Sequence, residues 1–173
     1  GLARDVAAIA GTEWTPLVIA PVEPAIDDTI NIELVDPRDC PRYVGRVILG
    51  IDPAAKTPLW MSEALRRSGI RSISAVVDAT NYVLMELGQP MHAFDLDRLK
   101  GGISVRRGRA GEQITLLDDK IVELDESLLA ICDDSGPVAL AGIMGGLDSG
   151  VTDRTSNILL ESAFFLPATI MGK

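Results

Sequence analysis

Two hydrophobic periods divide this chain, and that division restricts its fold more than any other feature of the sequence. Before about residue 88, apolar residues recur at helical spacing. In "SISAVVDATNYVLMELG" the positions Val76, Val77, Thr80, Val83, Leu84 and Leu87 make one stripe, Ser74 can cap its start, and Gly88 ends it. That stripe reads as core. "KTPLWMSEALRRSGI" predicts a second helix, with Thr57 as N-cap, Pro58 at the first helical position and Gly69 past the end. Beyond "GQPMHAFD" and a short helical turn the period changes to two. "GISVRRG", "EQITLLD", "KIVEL", "LLAICDD", "PVALAGIM" and "NILLESAFF" are strand candidates, separated by the turn formers "RAGE", "DDK" and "DDSGP". Helices bunched early and strands bunched late, without βαβ alternation, predict an α+β domain with antiparallel or mixed sheets.

The first residues stand apart from that pattern. "GLARDVAAIAG" places Leu2, Val6 and Ile9 at helical spacing with Gly11 as a stop. Pro16, Pro21 and Pro24 then break any regular pairing, so residues 1–25 read as a lead-in helix and linker from a preceding module. The domain proper is expected over 26–173. It opens with a strand in "TINIELVD", where Ile30, Ile32 and Leu34 alternate, and a second in "RYVGRVILGI", more apolar and so expected to be more buried.

Charge narrows the function. Against 25 acidic residues stand 16 basic ones, a net charge of −9. A protein that grips nucleic acid along its length needs a basic face. The tip of an RNA delivered by a larger assembly stays within reach of an acidic domain. No apolar run approaches the roughly 18 residues of a membrane span, and no secretory signal opens the chain, so a soluble, cytoplasmic protein without membrane contact is expected. Cys40 and Cys132 lie far apart with no CxxC spacing, and His92 is the one histidine, so no metal site is expected.

Three stretches project polar groups from apolar surroundings. "TNYVLMELGQPMHAFD" holds Asn81 and His92, either of which reads as a site residue or as a structural side chain satisfied nearby. "ALAGIMGG" carries Gly142, Gly145 and Gly146; it is not a phosphate loop, since no Gly-Lys-Ser/Thr follows, and its glycines equally serve a bulge or turn. In "NILLESAFF", Glu161 interrupts Leu159, Leu160, Ala163, Phe164 and Phe165. A buried carboxylate is costly unless paired, which makes Glu161 the first candidate on physical grounds. No serine has a nucleophile-elbow setting, and a cysteine nucleophile lacks a demonstrable histidine partner. The residues alone therefore support an α+β domain with a small-ligand pocket at Gly142, Glu161 and His92.

Taken together, "RSISAVVDATNYVLMELGQPMHAFDLDRLKGGISVRR", "ALAGIMGG" with "DSGVTD", and "NILLESAFFLPATI" resemble the β subunits of bacterial phenylalanyl-tRNA synthetase. The resemblance implies that subunit's editing domain, a layered α/β sandwich that hydrolyses tyrosine wrongly esterified to the phenylalanine tRNA. It implies catalytic positions at His92 and Glu161, and substrate-binding positions at Asn81, Pro90, Leu117, Ala141, Gly142 and Gly145. Glu161, with backbone near Ala141 and Gly142, would read the tyrosine hydroxyl, and Leu117 would be an apolar wall. His92 and Asn81 would sit nearer the ester and the terminal adenosine, with His92 positioning the reaction rather than acting as base. The implied partners are the 3′ end of the acylated tRNA, the tyrosine moiety, and the α subunit in a heterotetramer of two α and two β chains. No cofactor is implied for this domain; ATP and magnesium belong to ligation by the whole synthetase. The chain stops where the family continues into a basic stretch, so an editing domain truncated at its C-terminal end is expected. The rival reading is a non-catalytic interaction module of the synthetase, inert when excised.

Overall fold

Each late strand candidate forms a strand, because alternating apolar residues need a second layer to cover one face. The computed structural model describes residues 1–173. In chain order its elements are α1 (Leu2–Ala10), β1 (Ile32–Leu34), β2 (Arg42–Ile48), α2 (Leu59–Arg67) and α3 (Ala75–Leu87), then β3 (His92–Asp95) and a 3-10 turn at Leu96–Arg98. There follow β4 (Ile103–Arg107), β5 (Gln113–Thr115), β6 (Ile121–Glu123), β7 (Leu129–Asp133), β8 (Gly136–Leu140), β9 (Met144–Gly145), β10 (Ile158–Phe164) and α4 (Pro167–Ile170).

The strands make a five-stranded sheet, β1-β4-β7-β8-β9, a three-stranded sheet, β2-β10-β3, and the β5-β6 hairpin. Only β1 runs parallel to its neighbour, β4; every other pairing is antiparallel. The chain is thus α+β with mixed and antiparallel sheets. Strand β7 is buried at all five positions because both of its faces are covered. Leu129 and Ile131 point into a core shared with the three-stranded sheet, beside Phe94, Ile103, Val105 and Leu159. Ala130 and Cys132 point the other way, into a smaller core with Ile114, Leu116 and Leu124 beneath the hairpin. A fully buried Phe94 or Leu159 stabilises the fold by about 2–3 kcal/mol.

Local signals set the helix ends well. Ser74 accepts from the Val77 N–H at 3.4 Å, and Gly88 closes α3 in the left-handed region at φ 74°. The faces depart from expectation. Val76, Val77 and Val83 are half-buried, while Leu84 and Leu87 are 37% and 50% exposed. The stripe of α3 is therefore not core: this helix packs on α2 and on the short β3, without lying across a sheet. Its two fully buried side chains are Asp78 and Thr80. Thr57 is not an N-cap either. Its hydroxyl donates to Asp78, which also accepts from Ser72 Oγ and from the Ile73 N–H at 2.9 Å. Strand β2 alternates exposed and half-buried residues and has none fully buried, because it forms an edge paired on one side only. Helix α1 forms as expected, yet only Ala7 is buried on it. No helix is long and apolar enough to cross a membrane.

Candidate active site

The site begins with a register. On β10, Glu161 stands opposite His92 of β3 and, on its other side, opposite Gly45 of β2. Residues directly opposed in an antiparallel ladder project to the same face, so His92 and Glu161 meet although 69 residues separate them (161 − 92). Their shared face opens on a cavity of about 510 Å³, within the size range of small-molecule sites. Pro90, Gly142 and Gly145 line it with them, and Leu140, Phe165 and Ile170 supply apolar wall. Among all its lining residues, His92 and Glu161 are the titratable ones.

Both are perturbed in opposite senses by one cause. Burial pushes the Glu161 carboxyl up to about 7, and no protein donor offsets it. Keeping the carboxylate charged there at neutral pH costs about 3 kcal/mol. Burial drives the His92 imidazole down to about 4, so it is neutral at physiological pH. Its ring stands edge-on to Phe94 with centroids 4.5 Å apart, and its Nε2 is buried without a hydrogen-bond partner. Gly145 makes this seat possible, because a Cβ there would collide with the imidazole. At Gly142, φ is +69° and a Cβ would press on Phe165 at 3.2 Å and Ile170 at 3.4 Å.

Three sequence candidates sit elsewhere than expected. Ala141 is fully buried behind the wall, and its N–H donates to Leu129 O at 2.9 Å, so it has no free donor for a ligand. Gly142 N–H, which no protein acceptor takes, is the available amide there. Leu117 is 48% exposed and backs β9 from outside, its N–H donating to Gly145 O at 3.1 Å, so it is not a wall of this cavity. Asn81 is half-buried on α3 and does not line the cavity.

What the residues alone did not reveal is how the roof is held. Arg107 donates to both Asp39 oxygens, at 2.6 and 2.7 Å, and Thr169 Oγ1 donates to Asp39 Oδ1 at 2.8 Å. The Leu166 N–H also reaches Asp39 O at 2.8 Å. The Arg107 guanidinium, against the opposing effect of burial, holds the Asp39 carboxyl below the usual carboxylate range. This clamp fixes α4 and sets Phe165 and Ile170 against Gly142. No local pattern marks it, since Asp39 and Thr169 are 130 residues apart. No group of three or more His, Cys, Asp or Glu side chains converges as a metal donor set.

The pattern of one family, described as the B3/4 domain, matches residues 39–173. The chain belongs to the B3/4 domain family. Over all 173 residues it is 57% identical to the phenylalanine–tRNA ligase beta subunit of Xanthomonas euvesicatoria, 54% to that of Chromobacterium violaceum and 56% to that of Pseudoalteromonas translucida. It spans 22% of the length of each of these relatives. Its fold is similar to an N-terminal fragment of the phenylalanyl-tRNA synthetase beta subunit from Pyrococcus horikoshii, with a TM-score of 0.62 at 13% identity, covering 87% of this chain and 48% of that one. The relatives are parts of a ligase, and this B3/4 domain is homologous to a segment of their beta subunits.

Proposed function

We propose that this B3/4 domain is an editing site, which hydrolyses the ester of tyrosine wrongly attached to the phenylalanine tRNA. The observation that carries the reading is the Glu161–His92 cross-strand pair facing one apolar cavity. An aromatic ring fits the walls formed by Phe165, Ile170 and Leu140. Glu161, as carboxylate or carboxyl, pairs with a phenol hydroxyl, and the open Gly142 N–H supports it from the facing wall. Phenylalanine would leave these groups buried and unpaired, which is how a polar subsite reaches discrimination on the order of 10⁴.

Hydrolysis needs water at the ester carbonyl. The water oxygen bonds to the carbonyl carbon, the bond to the ribose oxygen breaks, and that oxygen takes up a proton, leaving free tyrosine and an intact tRNA end. An imidazole held near 4 is a weak base at neutral pH, so His92 serves best by orienting water and ester through its unpartnered Nε2. The domain's own step takes no cofactor. ATP and magnesium go with ligation by the whole synthetase, and the α subunit of a heterotetramer and the 3′ end of acylated tRNA are the partners this reading requires. The acidic balance of the chain fits a domain that receives only that end.

The test is deacylation of tyrosyl-tRNA for phenylalanine by the assembled synthetase. Glu161→Ala and His92→Ala should each abolish most of it while phenylalanine ligation persists. Normal editing by both variants sinks the assignment.

A further inference from the structure

Two side-chain atoms of the molecule are buried without a hydrogen-bond partner. One is His92 Nε2, already in the cavity. The other is the hydroxyl of Tyr43, which has no part in anything assigned above. Tyr43 lies on β2 opposite Ala163 of β10, two places along from the Gly45–Glu161 pair. It is therefore the diagonal neighbour of Glu161, a separation of roughly 7–8 Å that an aromatic side chain can span. With the period of two, Tyr43, Glu161 and His92 share one face of the three-stranded sheet.

The surroundings leave the hydroxyl little choice of acceptor. A side chain at Gly45 would meet Ile32 at 3.0 Å and Leu159 at 3.2 Å, so that part of the face is apolar. The Cys40 thiol, just before β2, donates to Arg42 O at 3.5 Å. Burial, and beyond it the nearby Glu161 and Cys40, push the Tyr43 phenol far above its ordinary range, so it remains an intact O–H. A donor without an acceptor thus lies beside a carboxyl without a donor. Tyr43 and Cys40 face Glu161 from the β2 side and His92 from β3. The five-stranded sheet and α4 contribute only apolar side chains and glycines to the cavity.

We propose that Tyr43 is the positioning residue for Glu161: its hydroxyl donates to one carboxylate oxygen and so directs the other at the ligand. The inference rests on reading the cavity as the site that recognises a tyrosine hydroxyl. A carboxylate has two acceptor oxygens, and one left unpaired in an apolar wall is costly. With Tyr43 on one oxygen and the substrate phenol on the other, both are satisfied; with phenylalanine bound, one is not.

The experiment is a carbon-13 carboxyl titration of Glu161 in this chain, comparing the native sequence with Tyr43→Phe. Loss of the donor should raise the midpoint of Glu161 by about one pH unit, a tenfold gain in proton affinity. An unchanged midpoint overturns the proposal. Should Tyr43→Phe disturb folding, 3-fluorotyrosine incorporation keeps the ring and makes a stronger donor. The midpoint then falls, and no movement again overturns the proposal. The second tyrosine, Tyr82, is on α3 beside Glu86 and does not interfere. Tyrosyl-tRNA deacylation by the assembled synthetase separates the two readings. With Tyr43→Phe, kcat should drop at neutral pH and recover at higher pH, KM for the tRNA staying level. A moved midpoint with unchanged deacylation keeps the Tyr43–Glu161 pair and rejects the editing role. An unmoved midpoint rejects the pair and leaves the editing role standing.

Discussion

Asp78 and Glu161 are both almost wholly enclosed, at 0% and 6% exposure, yet their regions behave as opposites. Around Asp78, at the junction of α2 and α3, the protein supplies two hydroxyls and an amide. Burial opposes the charge there, but those donors, from Ser72, Thr57 and Ile73, outweigh it and hold the carboxyl below its ordinary value. Around Glu161 no donor is bound and burial alone acts, pushing the carboxyl up to about 7. The first carboxylate is saturated and fastens two helices together. The second keeps its acceptor capacity for something that enters the cavity. Donor supply, rather than depth, separates a structural carboxylate from one available to a ligand.

Substitutions can break that contrast. Asp78→Ala leaves three donors unsatisfied and should destabilise the domain by about 4 kcal/mol in urea unfolding. A loss under 1 kcal/mol would mean that the α2–α3 junction does not depend on it. Glu161→Gln should change stability at neutral pH little and in the stabilising direction, because it removes an unpaired buried charge. In the assembled synthetase, the same change should lower tyrosyl-tRNA deacylation on the order of 10²-fold. Equal destabilisation by both variants would erase the distinction between the two regions.

Acidity sharpens the comparison further. The folded Glu161 sits above its unfolded value, so its contribution is fully present below about 4.5 and is lost as pH rises through about 7. The folded His92 sits below its unfolded value, so its contribution is present above about 6.5 and is lost as pH falls through about 4. These opposite slopes, each about 3 kcal/mol across the window, nearly cancel in the native chain. Glu161→Gln should expose a stability that falls on acidification, and His92→Gln one that falls on alkalinisation, both measurable by unfolding at fixed pH values. A native-like flat profile in either variant contradicts the burial of that residue. The smallest expected effect is at the helix cap. Ser74→Ala removes a single 3.4 Å bond and should cost about 1 kcal/mol in thermal unfolding, without touching deacylation.

The legible parts of this protein were those set by neighbours in the chain. Gly11, Ser74 and Gly88 end helices through bonds spanning a few residues, and each could be placed from the sequence. The six late strand segments also followed from their period. Strand β3 did not: four residues beside Pro90 resemble a turn until β10 pairs with them. The stripe of α3 was misleading, because periodicity shows that a helix has an apolar face and not what covers it. Glu161 stood out by chemistry, a lone carboxylate among Leu and Phe. Tyr43 did not, since a tyrosine in an apolar strand is unremarkable until its hydroxyl is found without a partner.

The sequence by itself determined the α+β class, the helix ends and the presence of a carboxylate in apolar surroundings, because short-range sterics and side-chain period act between near neighbours. Tertiary structure alone decided that His92 opposes Glu161, that Asp39 clamps α4 over Gly142, and that Asn81, Ala141 and Leu117 stay outside the cavity lining. Strand register and long-range hydrogen bonds set those relations, across separations that local pattern does not span.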